Sequence, residues 1–212
     1  MAPMGAALGR YGFRASVVTQ MNLHRDIPVL GDQLFDHVRR VRARHEQRTG
    51  MRPDAHFVTH SMGGIVLRSM LSRHEVDGPN RCVLMAPPNQ GSRLAEHMND
   101  RLRLPWGSFD PLGKLLPGER GQCVDAGDPD ATIGIIIGTG SRGFGPPWRT
   151  LGGGFEVGGD GEHDGTVAAD ETHLDSAVDS LRVPFAHSLM MLRPSVVRAT
   201  ADFLRHGRFT RP

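Results

Sequence analysis

Cysteine is scarce in this chain: Cys82 and Cys123 are its only two in 212 residues, and neither sits in a metal-ligand spacing. That excludes a disulfide framework as the basis of the fold. Long apolar runs are missing too, and none approaches the roughly 20 residues a membrane-spanning helix needs. The opening "MAPMGAALGRYGFR" lacks a basic stretch followed by a long apolar core. It does not read as a secretory signal, so the expected location is cytoplasmic. Neither sign of charge dominates: 25 Lys and Arg stand against 23 Asp and Glu, a formal net charge of +2. The one dense basic stretch, "RRVRARHEQR" at 39–48, has helical spacing and no interleaved aromatics. It reads as a solvated helix face, not as a nucleic-acid interface. No internal repeat is present, and nothing in the chain sets an oligomeric state.

What the chain does contain is the composition of an ordinary globular protein, 38% hydrophobic and 23% charged, with a length that fits one domain. Short apolar runs alternate with amphipathic ones, the pattern of an α/β protein whose mostly parallel sheet carries helices on both faces. "MGAALGRYG" reads as a helix stopped by Gly12, followed by a strand "FRASVVTQ" and a long helix "PVLGDQLFDHVRRVRARHEQ". Further strands are expected at "HFVTH", "RCVLMAP", "ATIGIIIGTG" and "LRVPFAH", with helices at "GGIVLRSMLSRH" and "SVVRATADFLRHG". Two connections are long enough to carry function. One, at about 91–130, includes a short lid-like helix in "GSRLAEHMNDRLRLPW"; the other, "SRGFGPPWRTLGGGFEVGGDGEHDG", is so rich in Gly and Pro that it reads as a mobile loop.

The chemistry concentrates around "HFVTHSMGGIVLRSML". A strand, then Thr-His-Ser-Met-Gly-Gly, then a helix, is the context of a nucleophile elbow, which strains the serine backbone and exposes its hydroxyl at the carboxyl edge of the sheet. Ser61 is the candidate nucleophile. Gly63 is expected to let the turn pack closely, and the N–H of Met62, at the helix N-terminus, points where an oxyanion would form. Thr59 replaces the glycine usual two residues before the serine, so its extra atoms must fit beneath the turn.

A hydroxyl needs a base, and in this arrangement the acid and then the histidine follow the serine in the chain. Asp164, in the Asp-Gly turn of "GEHDGTV", and His187, just past the last expected strand, occur in that order. His187 would take the proton and later return it, while Asp164 would fix its tautomer. Asp160 and Asp170 compete for the acid role, in which Asp164 is preferred for its turn context, and His163 is an alternative base only if Asp164 is not the acid. His60 adjoins the serine but is expected to turn away from its hydroxyl. The same acidic segment has a rival reading: Asp160, Glu162, Asp164, Gly165, Val167 and Glu171 match positions of a calcium-binding loop, but the glycine-rich lead-in cannot supply the incoming helix.

In this order, Ser61, Asp164 and His187 give the chain a resemblance to the α/β-hydrolase superfamily, particularly its bacterial lipase-like serine esterases. "HSMGGIVLR", "APPNQGS", "HDGTV" and "FLRHGRF" carry it, and it extends from about Met4 to Phe209. The resemblance implies hydrolysis of carboxylic esters, small-molecule or lipid, through an acyl-enzyme without metal or organic cofactor. It also implies an N-terminally truncated fold. Members of the family carry a strand and His-Gly loop ahead of this region that donate a second oxyanion N–H, and that strand would lie between "FRASVVTQ" and "HFVTH". Esterase turnover by the 212 residues is accordingly expected to be weak or absent. A non-catalytic binding protein on the same scaffold and an acyltransferase with the same triad remain open alternatives. Leu94, Met98, Leu102 and Trp106 form a helical stripe that reads as core packing more than as substrate lining.

Overall fold

The structure is a computed structural model that describes residues 1–18, 25–78, 80–102, 113–123, 125–140, 157 and 161–211. At its centre is a four-stranded parallel sheet, β1 (Phe57–His60), β2 (Arg81–Met85), β3 (Thr132–Gly138) and β4 (Ala177–Val183), ordered as in the sequence. Parallel neighbours need crossovers that cover the faces, which is why β2 and β3 are apolar almost throughout. Val83, Met85 and Ile136 face a core completed by Met4 and Leu8 of α1 (Ala2–Leu8) and by Val196 and Phe203 of α5 (Pro194–His206). Cys82, Leu84, Ile133, Ile135 and Ile137 face the opposite core, with Leu67 and Met70 of α3 (Met62–Arg73). Leu34, Phe35 and Val38 of α2 (Ile27–Thr49) pack against that second core.

Sequence punctuation fixes several ends. Gly12, Gly50 and Gly207 take left-handed backbone at φ 87°, 71° and 71°, stopping the first, second and last helical segments; Gly12 and Gly207 do so where the sequence predicts. Gly134 has a different use. A β-carbon there would come within 2.4 Å of the Phe203 ring, so glycine lets α5 seat its largest buried side chain on the sheet.

Two predicted strands differ. Residues 13–18 of "FRASVVTQ" are not a strand, because they have no ladder; they run along α1, where a β-carbon on Gly5 would meet Val17 Cγ2 at 2.8 Å. The last strand is Ala177–Val183, not "LRVPFAH". Pro184 has no N–H to continue the ladder, and the alternating burial of "AVDSLRV" marks a one-sided edge strand. The basic stretch lies on α2 and is exposed at Arg39, Arg40, Arg44 and Arg48, with Arg42 as a buried exception. The long Gly/Pro-rich connection falls mostly outside the described residues. Among those described, no helix is long and apolar enough to cross a membrane.

Candidate active site

Ser61 leaves β1 and enters α3 with φ 55° and ψ −134°. Only Ala86 among the other described non-glycine residues has positive φ, at 46°. The two follow paired residues, His60 and Met85, at the carboxyl ends of adjacent strands. Strain of this kind costs about 1–3 kcal/mol per residue and persists only where the surroundings enforce it. Here they do: Ser61 N–H donates to the Met85 carbonyl at 2.9 Å, and Ala86 N–H to the Ile136 carbonyl at 2.8 Å.

Close packing at the elbow depends on a different glycine from the one the motif predicts. A β-carbon on Gly64 would meet Pro87 Cβ at 2.9 Å, whereas one on Gly63 would make an ordinary 3.6 Å contact with Thr59. Thr59 does fit beneath the turn, at a cost: its hydroxyl oxygen is buried without a hydrogen-bond partner. Met62 is the first residue of α3, so its N–H belongs to the first-turn set that no intrahelical carbonyl satisfies.

Asp164 and His187 come together in the interior. His187 Nδ1 and Asp164 Oδ2 are 2.7 Å apart, with the two residues 8% and 2% exposed. The other carboxylate oxygen, Oδ1, accepts the N–H groups of Thr166 at 2.9 Å and Val167 at 2.8 Å, so a tight turn orients the acid. With Nδ1–H given to the carboxylate, Nε2 is left as the basic nitrogen. The hydrogen bonds of the described residues do not include one between Ser61 Oγ and the His187 ring. Instead, His187 is brought beside the elbow through the serine's neighbour: its ring lies 4.4 Å from that of His60, whose Nε2–H donates to the His187 carbonyl at 2.9 Å. Burial, and then the proximity of His187, lower the His60 pKa to about 4, leaving the ring neutral near pH 7.

The competing residues are occupied elsewhere. Asp170 is exposed and paired with Arg93, and His163 Nδ1 accepts the Gly165 N–H at 3.1 Å within its own hairpin. Asp160 lies outside the described residues. The described carboxylates of the calcium-loop register are committed: Glu162 to Arg182 at 2.9 Å, Asp164 to His187, and Glu171 to the N–H groups of Arg93 at 2.7 Å and Ala168 at 2.8 Å. Of the lid stripe, Leu94 and Met98 are half-buried on α4 (Arg93–Leu102), while the Leu102 side chain and Trp106 lie outside the description.

A buried bridge joins the segments that carry the site. Arg68 of α3 donates to Asn89 Oδ1 at 3.2 Å and to the Gly127 carbonyl at 2.9 and 2.6 Å, and Asn89 Nδ2 donates to the Thr172 carbonyl at 2.8 Å. This connects α3, the loop after β2 and the turn beyond Asp164. Asn89 carries no local sequence signal for this role, since both of its partners are distant in the chain.

Known structures decide the fold class. Lipase BlEst2 of Bacillus licheniformis in its mature form superposes with a TM-score of 0.53 at 19% identity, over 86% of this chain and 73% of that one. The metagenomic carboxyl esterase MGS0156 gives 0.56 at 18% identity, over 88% and 58%. The chain has the α/β-hydrolase fold. Phospholipase PlaB from Legionella pneumophila, in complex with thio-NAD, gives 0.53 at 19%, over 74% of this chain but only 35% of its own. The chain thus spans between about a third and three quarters of these neighbours. No protein-family model matches it, and none of the curated proteins matches it by sequence.

Proposed function

We propose that the protein is a serine hydrolase that cleaves carboxylic esters through an acyl-enzyme. The observation that carries this reading is the buried 2.7 Å pair of His187 Nδ1 and Asp164 Oδ2, held beside a strained serine at a strand–helix turn. Ser61 Oγ attacks the ester carbonyl while its proton passes to His187 Nε2, and the tetrahedral oxyanion faces the Met62 N–H. Collapse expels the alcohol, which takes the proton from His187. Water then attacks the acyl-enzyme, again through His187, releasing the carboxylic acid and restoring Ser61. Asp164 keeps His187 in the tautomer with Nε2 free and stabilises the imidazolium as it forms. Residues 91–130 would form a lid-like insertion in a single hydrolase domain.

A fluorophosphonate probe tests the reading directly, because it reacts with activated serines. Labelling of the wild type that disappears in Ser61→Ala, with turnover of a short-chain nitrophenyl ester below ordinary esterase rates, is the expected result. A folded wild type that takes no label would leave a non-catalytic binding protein on a hydrolase scaffold.

A further inference from the structure

His60 is the residue whose surroundings are least accounted for by its place in the elbow. Its backbone pairs with Met85 in the sheet, as any residue at the end of β1 would. Its side chain does something more specific: Nε2–H donates to the main-chain carbonyl of His187 at 2.9 Å, across 127 residues of sequence, while the two imidazole rings lie 4.4 Å apart at 50°. A carbonyl can only accept, so the proton is on His60 Nε2.

From this geometry we infer that His60 is a positioning residue, which fixes the ring plane and the loop of His187 so that Nε2 of the base faces the Ser61 hydroxyl. The inference rests on the serine-hydrolase reading above. Asp164 holds His187 at Nδ1 and at its main-chain N–H, the latter through the Asp164 carbonyl at 3.0 Å. Those contacts leave the ring one rotational freedom, about the axis running through Nδ1 and the carboxylate. The His60 ring, 4.4 Å away and tilted by 50°, closes that freedom, and its N–H ties down the carbonyl that Asp164 does not reach. Because His60 adjoins Ser61 in the chain, the restraint is referred to the nucleophile itself. The acid therefore positions the base from one side and the elbow positions it from the other.

The consequence is separable from ordinary packing. His60→Phe keeps an aromatic face but has no donor; His60→Gln can return an N–H to the His187 carbonyl without the ring. Second-order labelling of Ser61 by a fluorophosphonate is the readout, with the melting temperature and the far-downfield proton resonance of His187 Nδ1–H followed in each variant. The Phe variant should label about 10- to 100-fold more slowly, the range a misplaced catalytic group produces, and its Nδ1–H signal should broaden. The Gln variant should recover most of the rate and keep the signal sharp. A folded Phe variant that labels at the wild-type rate overturns the inference, and so does a folded Gln variant that is as slow as Phe. If the Phe variant does not fold, the Gln variant alone decides. Failure of the wild type to label at all would instead count against the hydrolase reading.

Discussion

Asp164 holds His187 twice: its carboxylate lies 2.7 Å from the imidazole Nδ1, and its main-chain carbonyl accepts the His187 N–H at 3.0 Å. Side chain and backbone are thus registered to each other, and the opposite carboxylate oxygen is fixed by Thr166 and Val167.

Asp164→Asn follows directly from that geometry. Two backbone N–H groups claim the position of Oδ1, so the amide oxygen will sit there and the NH₂ will face His187. The ring must then accept at Nδ1 and carry its proton on Nε2, the wrong tautomer for a base. Ester turnover is expected to fall by about 10³–10⁴, while the melting temperature changes little; nitrophenyl ester kinetics and a thermal scan check both.

Gly138→Ala should damage the site through packing. A β-carbon there would lie 2.5 Å from Met190 Cε, 2.7 Å from Asp164 Cβ and 2.8 Å from the Phe185 carbonyl. Met190 has a flexible end and can move; Asp164 is held at both oxygens and cannot move without losing a bond. Overpacking of this kind costs about 1–3 kcal/mol, and the displaced acid should lower turnover about 10- to 100-fold. Denaturant unfolding and ester hydrolysis, measured on the same preparation, report the two effects.

Thr59→Val is expected to stabilise the protein. The Thr59 hydroxyl oxygen is buried and has no partner, so a methyl of similar shape removes a desolvation cost of about 1–3 kcal/mol and keeps the β-branch that suits a strand. A rise of several degrees in melting temperature is the anticipated reading; a fall would show that the hydroxyl is satisfied in solution.

Stability should also decline as the solution is acidified from about pH 6.5 to pH 4. His60 has its folded pKa lowered to about 4, chiefly by burial, so over this window the unfolded chain binds a proton that the folded one does not. The folded state is therefore penalised as pH falls, by an amount on the order of 3 kcal/mol that levels off below the folded value. His60→Phe should flatten this part of the curve when unfolding free energy is measured by denaturant at half-unit steps of pH.

The local features of the site were legible in the chain because they are local. An apolar run, Thr-His-Ser-Met-Gly-Gly and a second apolar run force a strand–turn–helix, and Asp164 in an Asp-Gly turn and His187 past the last strand follow in the order that a parallel sheet returns to one edge. The β-branched and apolar character of "RCVLM" and "TIGIIIG" likewise fixes two buried strands without reference to anything distant. Contacts between distant segments were not legible. Which glycine is indispensable depends on what approaches it: Pro87 at Gly64, Asp164 and Met190 at Gly138, Phe203 at Gly134. Whether residues 13–18 become a strand depends on a ladder partner, and the sequence "FRASVV" contains no information about one. The sequence places His60 beside the serine but is silent on the partner of its Nε2–H, which is 127 residues away. The sequence by itself determined the strand–serine–helix turn, the order of the candidate triad and the parallel α/β plan, through periodicity and backbone preference. Only the tertiary structure decided how His187 is held, because that depends on hydrogen bonds and ring packing between segments that meet solely when the sheet has formed.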